Sequence, residues 1–107
     1  RGKHIGEAEH SKENLAYAAR IALELGADMV KLAYAGNVED MKWVVRSAGK
    51  VKVLVVGGGK TDEETFLART REVLEAGAVG WAVGRNIWQS TDPIGLAKKI
   101  GEILYAV

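Results

Sequence analysis

The chain has 107 residues, enough for one hydrophobic core and hardly for two domains. Its apolar content of 48% and charged content of 27% argue against disorder, and a net charge of +1 disfavours a binder that lives off nucleic-acid phosphates. The absence of cysteine excludes disulfides, thiolate metal sites and cysteine nucleophiles, and no apolar run approaches the roughly 20 residues needed to cross a bilayer. The expectation is a soluble, cytoplasmic α/β protein without nucleic-acid or membrane partners.

Two histidines, His4 and His10, stand in a polar opening stretch with Glu7, Glu9, Lys12 and Glu13, too few for a histidine-rich metal site. From Ser11 to Leu25 the apolar positions Leu15, Ala18, Ala19, Ala22 and Leu25 share a helical face, with Ser11 as N-cap and Gly26 at C′. Residues 27–34 then read as a buried strand with one charge, Lys31, in its middle. Asn37 can cap a helix to about Ser47 that turns Met41, Val44, Val45 and Ala48 inward.

A second strand, 51–56, is rich in β-branched residues and runs into Gly57-Gly58-Gly59-Lys60. Thr61 and Glu64 fit a capping box opening a helix with Phe66, Leu67, Val73 and Leu74 inward. Gly77 ends that helix, 78–83 is the third strand, and Gly84-Arg85-Asn86 turns the chain again. Asp92 caps the last helix, with Pro93 at its first position. Leu-Glu-Leu-Gly-Ala at 23–27 and Leu-Glu-Ala-Gly-Ala at 74–78 form an internal echo.

Strands alternating with helices imply a parallel sheet with right-handed crossovers. Three strands that are apolar nearly throughout want neighbours on both faces. The expected architecture is therefore a part of a larger barrel, or an assembly that completes one. The opening Arg1-Gly2-Lys3, without an initiator Met, points the same way.

Lys31 is the sharpest chemical signal. An ammonium buried among Met29, Val30, Leu32 and Ala33 would be pushed toward the neutral amine, the form that a Schiff-base nucleophile requires. The residues alone leave open a strand lysine that reaches solvent or pairs with Asp28. Gly57-Gly58-Gly59 and Gly84-Arg85 each follow the carboxyl end of a strand, where backbone N–H groups can close on an anion. Two such turns after consecutive strands match the phosphate site of a (βα)₈ barrel. Lys60 reads as a solvated loop residue, while Trp43, Trp81, Trp88 and Tyr34 read as packing between helices and sheet.

In this order, Arg1-Gly2-Lys3, Ala18-Ala19-Arg20, residues 24–31, Gly57 to Thr61 and residues 78–89 resemble the archaeal-type class I fructose-bisphosphate aldolase family. The likeness covers nearly the whole chain but only the C-terminal part of that family's TIM barrel, about strand six to helix eight. It implies that Lys31 is the Schiff-base lysine, that Gly57, Gly58, Gly84 and Arg85 contact a substrate phosphate, and that Arg1 belongs to the binding site. The implied reaction is cleavage of fructose 1,6-bisphosphate to dihydroxyacetone phosphate and glyceraldehyde 3-phosphate, with no cofactor and no metal. The implied partners are a phosphorylated ketose and either further copies in a homo-oligomer or the N-terminal half of the barrel.

The chain departs from the family's pattern at Gly59, where Pro is usual, at Ala35 and at Val56. The family's proton-transferring tyrosine and an acidic residue near its first strand fall upstream of Arg1. Two other readings share these motifs: a related lysine-dependent aldolase, transaldolase or synthase on another phosphorylated ketose, and a non-catalytic, self-associating half-barrel.

Overall fold

A computed structural model describes residues 3–106. A 3₁₀ turn at Gly6–His10 leads into α1 (Lys12–Glu24), whose first turn is closed by Ser11 Oγ accepting from the Asn14 N–H. Leu15, Ala16 and Ala19 form its buried stripe. Leu25, expected on the same face, is 82% exposed because it is the C-cap residue, where the chain leaves the helix axis.

Gly26, with φ of 81°, reverses the chain, and the N–H groups of Gly26 and Ala27 bond back to the carbonyls of Leu23 and Ala22. This is a Schellman turn. The sequence echo at 74–78 builds the same device, with Gly77 at φ 93° and the Gly77 and Ala78 N–H groups on Leu74 and Val73. Each turn delivers the chain into a strand: β1 (Met29–Ala33) after the first, β3 (Gly80–Ala82) after the second. Both strands are shorter than the apolar runs that predict them.

Between them come α2 (Val38–Ser47), capped by Asn37, and β2 (Lys52–Val56). The helix α3 (Glu63–Glu75) starts one residue later than expected. Asp62, not Thr61, is its cap: the Asp62 carboxylate accepts from the Thr65 N–H at 2.9 Å and from the Thr65 hydroxyl at 2.7 Å. The charged, two-oxygen acceptor outcompetes a hydroxyl at the positive end of the helix. A single short turn, α4 (Arg85–Trp88), and α5 (Pro93–Leu104) complete the chain, with Asp92 accepting from the Gly95 N–H.

The sheet is parallel throughout, in the order β1-β2-β3. One cross-strand row, Leu32–Val55–Trp81, is buried beneath the helices, with Val53 beside it and Phe66 of α3 at 5.8 Å from the Trp81 ring. Helices α1, α2, α3 and α5 lie side by side in chain order over this face. The adjacent row, Lys31–Leu54–Gly80, belongs to the other face, over which no helix lies among the described residues. There Met29, Lys31 and Lys52 are exposed. A Cβ at Gly80 would stand 2.9 Å from Leu54 Cδ1, so the glycine leaves room for that leucine to lie across the sheet.

Two of the tryptophans expected between helices and sheet lie elsewhere. Trp43 stays exposed beneath the Lys12 ammonium, 5.6 Å from its ring centre, and Trp88 is exposed and folds over Gly84. Both sit on helix surfaces that no second layer covers. Among the described residues no helix is long and apolar enough to cross a membrane.

Candidate active site

The carboxyl ends of β1 and β2 open into a groove of about 580 Å³. Lys31, Ala33 and Tyr34 from β1 and its exit, and Gly57 and Gly58 from the exit of β2, line it together. Three residues singled out by the sequence, Lys31, Gly57 and Gly58, are thus brought to one cavity.

Lys31 is exposed, not buried as its apolar neighbours suggest. It belongs to the sheet face without a helix layer, so the apolar character of Val30 and Leu32 serves the opposite face. No ion pair to Asp28 forms among the described residues. Here Lys31 is a lysine that reaches open space at the groove.

Gly57 extends the β2–β3 ladder by one bond, its N–H donating to the Ala82 carbonyl at 2.7 Å. A Cβ there would meet that oxygen and Val83 Cγ1, each at 3.1 Å, so close strand packing already favours the glycine. Gly58 is different: it is exposed, a Cβ on it would meet nothing within 4 Å, and its N–H has no acceptor among the described residues. Of the pair, Gly58 has the amide that remains for an anion.

Gly84 and Arg85 do not line the groove. Gly84 caps the short α4, and the ring of Trp88 lies where its Cβ would be, 2.5 Å from Cη2. Arg85 is exposed, and its guanidinium makes no ion pair among the described residues. Arg1 falls outside the described residues.

The link between the two glycine turns is a residue the sequence did not mark. Asn86, 4% exposed, accepts the Thr61 N–H at 2.8 Å through Oδ1 and donates through Nδ2 to the Gly59 carbonyl at 3.1 Å. Its only sequence signal is its place directly after Gly84-Arg85. Tyr34, expected to pack, does so and more. Its hydroxyl donates to Glu72 Oε2 at 2.8 Å, and the Arg69 guanidinium lies 5.9 Å from its ring centre. Burial first, and then the bond to the carboxylate, hold the Tyr34 phenol well above its ordinary pKa.

A strand lysine beside a glycine loop at the carboxyl ends of parallel strands can join a carbonyl carbon to nitrogen while a neighbouring anion is held by backbone amides. The comparisons with known proteins point to the same chemistry. A family model described as DeoC/LacD family aldolase matches residues 1–90. The class 1 fructose-bisphosphate aldolase of Thermoproteus tenax is 51% identical over 97% of this chain. The 2-amino-4,5-dihydroxy-6-oxo-7-(phosphonooxy)heptanoate synthase of Streptomyces griseus is 40% identical over 85% of it. A solved archaeal fructose-1,6-bisphosphate aldolase, with its catalytic Lys covalently bound to the carbinolamine intermediate of the substrate, superimposes with a TM-score of 0.87, at 52% identity over 92% of this chain. The chain spans 39%, 33% and 39% of these three proteins, respectively. The parallel strands and outer helices are those expected of part of a (βα)₈ barrel. With the family model matched over most of its length, and half of its residues shared with one member across nearly all of it, this chain belongs to the DeoC/LacD family of aldolases.

Proposed function

We propose that this chain carries the nucleophile and part of the phosphate grip of a class I aldolase acting on fructose 1,6-bisphosphate. The observation that supports it is the placement of Lys31 in one groove with the Gly57-Gly58 loop at the carboxyl ends of β1 and β2. The neutral Lys31 amine adds to the ketone carbon of the sugar, and protonation of the carbinolamine hydroxyl followed by its loss as water leaves an iminium. Cleavage of the C3–C4 bond sends its electron pair toward the iminium nitrogen, giving an enamine, while the C4 hydroxyl gives up its proton and becomes the aldehyde carbonyl of the departing C4–C6 fragment, glyceraldehyde 3-phosphate. Protonation at C3 and hydrolysis then release dihydroxyacetone phosphate and return the amine.

In this reading the loop after β2 holds the phosphate next to the reacting ketone, with the exposed Gly58 amide as one donor. Gly57 contributes through close strand packing, and Arg85, exposed on the neighbouring loop outside the groove, offers its guanidinium to the same phosphate. The relative at 40% identity that is named a synthase favours a second reading, a Schiff-base reaction on a different phosphorylated ketone.

Borohydride trapping of the intact protein with dihydroxyacetone phosphate, followed by peptide mapping, tests the reading. A secondary-amine adduct on Lys31 is expected, and a folded protein that gives none overturns it. Turnover of fructose 1,6-bisphosphate separates the aldolase from the synthase.

A further inference from the structure

We propose that Asn86 is a positioning residue that locks the loop after β2 to the loop after β3, so that both address one phosphate group. The proposal rests on the phosphate-binding reading of those loops given above.

The β2–α3 loop has little to hold it. Its start is pinned where the Gly57 N–H meets the Ala82 carbonyl. Gly58, Gly59 and Lys60 that follow are all exposed, and a Cβ on either glycine would meet nothing within 4 Å. At the far end Thr61 is held by Asn86, whose Oδ1 accepts from the Thr61 N–H at 2.8 Å and lies 3.4 Å from its hydroxyl. The same side chain donates to the Gly59 carbonyl at 3.1 Å, inside the glycine run. Asn86 thus fixes the loop at two points, from the first turn of α4, one residue after Arg85.

The chemistry of the side chain suits this role and little else. It is almost fully buried, where an amide is tolerated only if bonded. The brace needs a donor and an acceptor on one short, planar group. Aspartate offers no donor for the Gly59 carbonyl, leucine offers neither, and serine is too short to reach both partners. A flexible glycine run has many conformations, and only those that point its amides the same way as Arg85 grip a single phosphate. The brace removes the others before the ligand arrives, and that is preorganisation.

The test compares borohydride trapping on Lys31 in the intact protein with two probes, dihydroxyacetone phosphate and dihydroxyacetone. Both form the imine, and only the first has a phosphate for the loops. In Asn86→Ala, trapping at sub-saturating probe is expected to fall about tenfold for the phosphate and about twofold at most for dihydroxyacetone, the loss of roughly one well-aimed hydrogen bond to a charged group. Equal losses for the two probes, or no loss for either, overturn the proposal, because a merely structural role moves both together. Should Asn86→Ala fail to fold, Thr61→Pro deletes the N–H that Asn86 accepts and leaves Asn86 in place. The same selective loss is expected, and an unchanged ratio between the probes overturns the brace. If the unaltered protein traps neither probe, the Schiff-base reading fails and the brace with it. Trapping in the unaltered protein with a ratio insensitive to both variants removes the brace alone.

Discussion

The Tyr34 hydroxyl donates to the Glu72 carboxylate across 2.8 Å, joining the exit of β1 to the last turn of α3. Tyr34→Phe removes the donor and leaves a half-buried carboxylate short of one partner. An expected loss of about 1 kcal/mol, discounted for partial solvent access, is read by chemical denaturation at neutral pH. The pH dependence has a definite sign. The folded state raises the Tyr34 pKa, so its stabilising contribution is complete below the unfolded tyrosine value of about 10 and fades as pH climbs through the folded one. The unaltered chain should therefore lose stability above about pH 10 more steeply than Tyr34→Phe. Parallel alkaline slopes in the two proteins would contradict the bond.

Lys31 is exposed on a sheet face without helices. Lys31→Met is expected to abolish trapping by dihydroxyacetone phosphate while shifting unfolding free energy by no more than about 0.5 kcal/mol. Retained trapping, with the adduct mapped to another lysine such as Lys60, would displace Lys31 as nucleophile.

Asp62 caps α3, and its bonds from Thr65, side chain first and then backbone, hold the carboxyl below its ordinary pKa. A depressed folded pKa contributes stability above the unfolded value of about 4, and this is lost as pH falls through the folded value. Asp62→Ala should lower the melting temperature at pH 7, with a smaller difference from the unaltered chain near pH 2. Glu64→Ala, the other half of the capping box read from the sequence, should leave the melting temperature nearly unchanged. The reverse order would restore Thr61 and Glu64 as the cap.

Gly59 and Gly26 provide a matched pair. Gly59 is outside the positive-φ region and has space for a Cβ, so Gly59→Ala is expected to stabilise the chain by about 0.4–1 kcal/mol by narrowing the unfolded ensemble. Gly26 has equal space but a φ of 81°, so Gly26→Ala should destabilise by about 1–2 kcal/mol. Denaturant midpoints of the two variants, moving in opposite directions, check both.

The sequence was most legible where a local signal had no rival. Asn37, Asp92 and Pro93 announce helix starts and stand at them, and the repeated Leu-Glu-x-Gly-Ala becomes two Schellman turns. At the start of α3 two acceptors stood side by side, and a capping pattern could not rank Asp62 against Thr61. Lys31 stands out by its apolar company, but its burial or exposure stays open in the sequence, because whether one or both faces of a sheet are covered is not written in a single strand. Asn86 was passed over because its partners, Thr61 and Gly59, are 25 and 27 residues away and donate or accept through backbone atoms. Residue types alone carry no trace of such a bond.

Helices on one face of the sheet leave Lys31 on the same wet surface as Met29, which is 51% exposed, and beside the half-buried Leu54 and Val56. Whatever settles on those apolar side chains also meets Lys31, so covering this face and shaping the lysine's end of the groove are one event.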